Sequence, residues 1–143
     1  MVDYKLSREE VPKFALGGNA TLTLKSGETG RRYTYKIVKS TDNDNLFFIH
    51  LLRGPDNEND YKYVGCYYKD TEYYHPAKYY LEIERRLRPS SVQAIDYFFK
   101  RLYDIPKNLI VYHEGKCARC GRKLTTPESL ERGFGPECYN IGG

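Results

Sequence analysis

Three cysteines lie close together near the C-terminal end of the chain and are the clearest candidates for chemistry. Cys117 and Cys120 are separated by two residues, and 17 residues lie between Cys120 and Cys138. A pair at this spacing, followed by Gly121, is typical of a tight turn that directs both sulfur atoms at one metal ion. The pattern therefore predicts a structural zinc site.

A tetrahedral zinc site needs a fourth ligand, for which the sequence offers more than one candidate. His113 lies four residues before Cys117, which gives the spacing His-x3-Cys-x2-Cys-x17-Cys. Imidazole with three thiolates is an ordinary structural zinc set, so His113 is the preferred ligand. Cys66 and other groups are the alternatives. The predicted site is one structural Zn²⁺ ion held by His113, Cys117, Cys120 and Cys138.

A redox-active cysteine pair is the competing interpretation of this motif. Redox motifs usually open a helix after a strand, whereas Gly121-Arg122-Lys123 follows the pair here. No catalytic residue is predicted, because the sequence has no Gly-rich phosphate loop and no nucleophile motif. His50 and His75 are expected to be packing or surface residues. We therefore expect a protein that is not an enzyme and that takes no small-molecule substrate.

The residues between the second and third cysteines predict a short helix and a glycine-rich turn. Thr126 is a typical N-cap, Pro127 suits the first helical position, and Gly133 stops the helix. The following turn would bring Cys138 back to the other two cysteines. A segment this small buries little apolar surface, so we expect the metal to supply most of its folding free energy.

Upstream of this module, alternating apolar and polar residues predict β-strands joined by short turns. Gly65 is expected to mark a bulge, and residues 69–88 are interpreted either as a fifth strand or as a packed loop. An apolar stripe at helical spacing between residues 90 and 102 indicates a helix that covers one face of the sheet. Strands are predicted at residues 20–24, 33–37, 46–53, 61–68 and 109–112.

These elements define the predicted fold class and domain organisation. The fold class is α+β: an antiparallel β-sheet meander covered by one main helix, with a small C-terminal zinc-binding module. Residues 1–108 form the sheet-plus-helix body, and residues 109–143 form the zinc knuckle packed on it. Because the last strand runs directly into His113, we expect no flexible linker between the two parts.

Composition and charge disfavour several functional classes. The chain has 143 residues with 23 basic and 19 acidic side chains, which gives a formal net charge of +4. That charge is too small to indicate nucleic-acid binding by itself. No apolar run approaches the roughly 18 residues of a membrane span, and the N-terminus lacks the pattern of a signal peptide. We therefore expect a cytoplasmic protein with no membrane partner.

The chain has 15 tyrosines, and eight of them lie between residues 61 and 80. Sheet packing is the first interpretation, because tyrosine suits a strand with one dry and one solvated side. A protein-recognition surface is the second, since tyrosine is enriched at interfaces, and base stacking is the third. The candidate partner-binding residues are four of these tyrosines and the three arginines of a nearby basic run: Tyr67, Tyr68, Tyr73, Tyr74, Arg85, Arg86 and Arg88.

Several segments carry a resemblance to a known family. The C-terminal zinc knuckle of a large family of uncharacterised phage and prophage proteins resembles residues 113–129 (HEGKCARCGRKLTTPES) and 133–138 (GFGPEC). The N-terminal part of that family is similar to residues 20–24 (ATLTL) and 52–61 (LRGPDNENDY). The resemblance covers roughly residues 18–140 and implies no particular activity. It implies four metal ligands, namely His113, Cys117, Cys120 and Cys138.

The length, the metal knuckle and the mixed sheet-helix body are also similar to those of zinc-containing anti-CRISPR proteins that block a type II-A RNA-guided nuclease. This resemblance implies a phage-encoded inhibitor that binds a host CRISPR nuclease in the bacterial cytoplasm and blocks its DNA targeting. Mimicry of DNA is disfavoured, because inhibitors that mimic DNA tend to be strongly acidic and this chain has a net charge of +4. The alternative is a zinc-knuckle nucleic-acid-binding accessory protein. The knuckle carries four basic residues, namely Lys116, Arg119, Arg122 and Lys123.

Overall fold

The structure is a computed structural model that describes residues 4–54 and 60–141, with Asn140 and Ile141 described by their backbone alone. Seven β-strands in these ranges form one sheet in which every neighbouring pair is antiparallel, as predicted. Residues 54–60, whose Gly, Pro, Asp, Asn and Glu residues predict a longer acidic loop, lie mostly outside the described residues. The strands are β1 (Tyr4–Lys5), β2 (Asn19–Ser26), β3 (Arg32–Lys39), β4 (Leu46–Leu52), β5 (Tyr61–Tyr68), β6 (Tyr73–Pro76) and β7 (Leu109–His113).

Several short helices accompany the sheet, whereas the prediction had one main helix. The longest helix of the described residues is α3, with 11 residues. Residues 69–88, which the sequence left open between a strand and a loop, contain a strand, a short helix and a 3-10 turn. The helices are α1 (Val11–Ala15), α2 (Lys78–Leu81), α3 (Ser90–Lys100), α4 (Pro127–Arg132) and α5 (Pro136–Ile141), and the 3-10 turn is Arg85–Leu87.

Strands β2 to β6 follow one another as a meander, and β7 and β1 extend the sheet beyond β2. The pairing of β4 with β5 shifts between Ile49, which faces Gly65, and His50, which faces Tyr63. Val64 is thus the extra residue of a bulge beside Gly65, in agreement with the prediction. Strand β7 pairs with both β1 and β2, so the first five residues of the predicted knuckle domain belong to the sheet.

The hydrophobic core lies between one face of the sheet and the helices. The Tyr35 hydroxyl donates to the carbonyl oxygen of Ser91 in α3 over 2.7 Å. The Phe99 ring of α3 stacks on Tyr67 and Tyr74, with centroid distances of 4.6 and 5.2 Å. Because side chains of a strand alternate between faces, the residues adjacent to these core positions point to the opposite side of the sheet.

This packing corrects the partner surface predicted from the tyrosines. Tyr67 is 0% exposed and Tyr74 is 6% exposed, so neither ring is accessible to a partner in the folded protein. Tyr73, by contrast, is 58% exposed, and Tyr68 contacts His75 on the face opposite α3. Sheet packing, the first interpretation of the tyrosines, therefore holds for Tyr67 and Tyr74 and not for Tyr73.

Among the described residues, no helix combines the length and the hydropathy needed to cross a bilayer.

Candidate metal centre and open sheet face

The structure brings together the three C-terminal cysteines. The sulfur atoms of Cys117, Cys120 and Cys138 all lie within 4.8 Å of one another, and no other His, Cys, Asp or Glu of the described residues joins this group. Cys117 is buried, Cys138 is half-buried and Cys120 is exposed. Three thiols at this separation could hold a metal ion.

A tight turn holds the first two cysteines in place. The main-chain N–H groups of Arg119 and Cys120 donate to the sulfur of Cys117 over 3.4 and 3.5 Å. The N–H of Gly121 closes the turn on the carbonyl oxygen of Cys117 over 2.9 Å. Gly121 has a φ of +78°, a left-handed conformation that favours glycine. This local geometry explains why a glycine follows the Cys-x2-Cys pair.

Helix α4 and the turn after it deliver the third cysteine. The Thr126 side chain accepts from the Ser129 N–H over 3.2 Å, which is the N-cap that the sequence predicts. Gly133 ends α4 with a φ of +80°, also as predicted. Cys138 then lies in the first turn of α5, facing the Cys-x2-Cys turn.

The cysteine module shares the core of the sheet domain. Ala118 donates its N–H to the carbonyl oxygen of Gly133 over 2.9 Å and accepts from the N–H of Asn19 over 2.7 Å. Phe134 is 1% exposed and meets Phe14 of α1 edge to face, with ring centroids 6.1 Å apart. The module is therefore fixed to β2 and α1 by hydrogen bonds and by apolar packing.

The metal-free thiols differ in acidity. Burial raises the pKa of Cys117, but N–H groups of Cys120, Gly135 and Arg119 that point at its sulfur outweigh burial, and the pKa falls to about 7. The pKa of Cys138 rises to about 11, because burial and the two neighbouring thiols disfavour a further negative charge. A bound cation would reverse that repulsion, because metals bind the thiolate form.

His113, the predicted fourth ligand, lies outside the cysteine group. Its ring Nδ1 accepts from the N–H of Gly115 over 2.9 Å, and its Nε2 is hydrogen-bonded to the carbonyl oxygen of Leu130. The ring is 0% exposed and packs against Tyr4 and Phe14, with centroid distances of 5.1 and 5.4 Å. Both ring nitrogens are thus occupied by backbone groups. His113 thus has a buried packing position and is not one of the three clustered ligands.

The face of the sheet opposite α3, here called the open face, carries a row of aromatic rings in two groups of three. The contacts of α1, α3 and α4 with sheet residues go to the other face. Tyr63 contacts both Phe48 and His50, at 6.3 and 5.6 Å between centroids, and Tyr73 lies 4.4 Å from His75. The rings of this row are Phe48, His50, Tyr63, Tyr68, Tyr73 and His75.

Basic side chains lie on the same face, where Lys36 pairs with His50 of the row. Lys36 Nζ lies 4.4 Å from the Tyr61 ring centroid, and the Arg32 guanidinium lies 5.4 Å from that of Tyr112. The seven described strands contain no Asp or Glu. By strand alternation, Lys5 and Lys25 also belong to the open face. This surface was not predicted from the sequence, because its basic residues are spread over three strands. Their alternation with core residues along each strand is the signal that would have placed them on one face.

The remaining predicted partner residues are divided between two places. Tyr68 and Tyr73 lie on the open face, together with Cys66, which faces His75. Arg85 and Arg86 are exposed on the 3-10 turn, and Arg88 donates to the carbonyl oxygen of Ile83 over 3.1 Å. The predicted surface therefore does not form one patch.

Comparison with known proteins gives one match. Residues 111–140 match the model of a family of unknown function (DUF6011). The matched segment begins in β7 and contains all three clustered cysteines. No curated protein and no solved structure matches the chain. The family match covers the C-terminal module, and the family's description gives no activity.

Proposed function

We propose that this protein is a zinc-stabilised binding protein whose open face binds single-stranded nucleic acid. The observation that carries the proposal is the row of aromatic rings beside basic side chains, on strands that contain no acidic residue. Aromatic rings on a sheet stack with unpaired bases, and flanking lysines and arginines contact the phosphates. The proposed activity is therefore binding.

Zinc is the proposed metal because the donor set consists of thiolates in a Cys-x2-Cys turn. Zinc in structural sites favours such ligands, and binding free energy becomes folding free energy in small modules. The proposed ligands are Cys117, Cys120 and Cys138. The ion would hold the turn, α4 and α5 together, while the sheet provides the binding surface.

Charge distribution supports nucleic acid over a neutral partner. The formal net charge of the whole chain is only +4, yet the acidic residues lie outside the described strands. Lys5, Lys25, Arg32 and Lys36 can meet the phosphates of one extended strand.

Fluorescence anisotropy with labelled single-stranded DNA and RNA tests the proposal. Tyr63→Ala and Tyr68→Ala should each weaken binding about 5- to 150-fold, since stacking contributes about 1–3 kcal/mol per base. Tyr97→Ala is the matched control, because Tyr97 is 43% exposed but lies on α3. Affinity should also fall steeply with salt, and Lys36→Gln should reduce that slope by about 0.7. Equal losses in all three tyrosine variants, or no binding at low salt, would reject the open face as the site.

The second candidate is the phage-encoded inhibitor of an RNA-guided nuclease, acting by protein–protein contact. The observation in its favour is a set of exposed apolar side chains on α2 and the 3-10 turn, where Tyr79, Leu81 and Leu87 are 65%, 58% and 63% exposed. Exposed apolar patches mark interaction sites, and Arg85 and Arg86 adjoin this one.

A nuclease pull-down separates this candidate from the first. Co-elution with a type II-A nuclease, reduced DNA cleavage, and loss of both in a Leu81→Ser, Leu87→Ser double variant would favour the inhibitor. Tyr63→Ala, on the open face, is the control and should leave that complex intact. Absence of co-elution and of any effect on cleavage would eliminate the inhibitor.

A further inference from the structure

The metal centre of the proposed function has three protein ligands where zinc needs four. No other His, Asp, Glu or Cys of the described residues joins the group whose ligand atoms all lie within 4.8 Å of one another. A structural zinc site is normally closed by a fourth side chain. The source of the fourth ligand is therefore a distinct question from whether metal binds.

The two candidates from the sequence are both held elsewhere. The His113 ring has both nitrogens bonded to backbone groups and stacks on Tyr4 inside the core. Swinging it out would break two buried hydrogen bonds and leave their backbone groups unsatisfied. Cys66 lies on β5, four strands away from β7, which corresponds to about 19 Å.

The cysteine group borders a cleft at the surface of the protein. Its sulfur atoms line a cleft of about 410 Å³, which Thr126, Ser129 and Glu137 also border. Cys120 is exposed at this cleft. A cleft of this size admits a small molecule or a side chain of another protein to the fourth position.

We infer that the bound metal keeps its fourth position for an external ligand, which is water in the isolated protein and an imidazole nitrogen where one is offered. This inference rests on the proposed metal site. Three thiolates and Zn²⁺ sum to a charge of −1, so a neutral donor is favoured over a second anion and bound water is not strongly acidified. Imidazole completes the Cys₃His set that is common in structural zinc sites.

The test is a titration of the Co²⁺-loaded full-length protein with imidazole, followed by visible absorption. We expect the d–d bands to shift saturably, with one imidazole bound per cobalt. The His113→Phe variant should respond in the same way and retain one metal per chain. An unchanged wild-type spectrum over the whole titration would overturn the inference, as would a response found only in His113→Phe, because either result means that a side chain of the protein already fills the position.

Metal stoichiometry distinguishes this failure from failure of the proposed metal site. If neither Zn²⁺ nor Co²⁺ binds to one equivalent, the zinc proposal itself is wrong. If one equivalent binds and X-ray absorption finds three sulfur neighbours at about 2.3 Å without any response to imidazole, only the open position is wrong. The wild-type titration decides the question even if His113→Phe does not fold.

Discussion

The main-chain N–H of Asn19 donates to the carbonyl oxygen of Ala118 over 2.7 Å. Asn19 is the first residue of β2, and Ala118 lies between the two cysteines of the tight turn. The cysteine turn is therefore hydrogen-bonded to the first residue of a central strand. Loss of the metal should affect the stability of the sheet as well as that of the module.

Metal removal provides the first prediction. Cys138→Ser should bind less than one metal per chain and unfold at a lower temperature, because two thiolates cannot hold α5 against the turn. A loss of about 3 kcal/mol corresponds to about 10 °C in Tm for a chain of this size. Elemental analysis and calorimetry with and without a chelator are the measurements. Cys66→Ser is the control, and an equal loss of metal in that variant would contradict the assignment.

Gly133 provides the second prediction. Gly133→Ala should lower the free energy of unfolding by about 2–5 kcal/mol, because a left-handed φ costs about 1–2 kcal/mol and overpacking adds about 1–3 kcal/mol. A Cβ at this position would collide with the ring of Phe14. Urea unfolding measures the change.

Gly30→Ala is a matched control for the backbone contribution. Gly30 has a φ of +75°, and a Cβ there would meet nothing within 4 Å. This variant should lose only the backbone part, about 1–2 kcal/mol. Equal losses of stability at Gly30 and Gly133 would mean that the Phe14 ring of α1 moves away from the new Cβ without a further loss of stability.

Neighbouring tyrosines on opposite faces provide the third prediction. Tyr67→Ala should destabilise the fold by about 3–5 kcal/mol, the range for large-to-small changes in a core, because its ring stacks on Phe99. Tyr68→Ala should cost less than about 1 kcal/mol, because its ring lies on the open face. Chemical denaturation of both variants gives the comparison. A reversed order of the two losses would mean that the strand has the opposite orientation.

The pH dependence of stability provides the fourth prediction. Burial lowers the pKa of His113, although the bond to Leu130 opposes it, so the folded ring stays neutral below the ordinary value of about 6.5. The unfolded chain then binds a proton that the folded chain does not. Stability is full above about pH 6.5 and falls as the pH decreases toward the folded pKa, by up to about 1.4 kcal/mol per pH unit.

Urea unfolding between pH 7.5 and 5 measures this slope. His113→Gln should have a shallower slope, because the variant has no ring to protonate. His75→Gln, which alters an exposed ring on the open face, should keep the wild-type slope. Acid release of the metal affects all three proteins alike, so an identical slope in His113→Gln and in the wild type would refute the prediction.

Elements with strong local signals could be predicted from the sequence. The cap at Thr126, the stop at Gly133 and the bulge beside Gly65 each depend on a few adjacent residues. The strands followed from alternation, and the clustering of the cysteines from their spacing. These features are set by short-range chemistry, which a single sequence contains.

The orientation of individual side chains could not be predicted. The bulge at Val64 reverses the alternation of β5, so Tyr63 lies on the open face while Tyr67 lies in the core, although both positions are odd-numbered. The position of His113 depends on Leu130, which is 17 residues away and unrelated to the ligand spacing. Such choices depend on contacts between distant parts of the chain.

The position of β7 in the sheet has a consequence for the order of folding. Strands β2 to β6 are consecutive in the chain and can pair as each one is synthesised. Strand β1 pairs only with β7 among the described strands, and Tyr4 faces His113 across almost the whole chain. Closing so long a loop is slow. Strand β1 therefore remains unpaired until β7 has been synthesised, just before the three cysteines, so completion of this sheet and capture of the metal are neighbouring events.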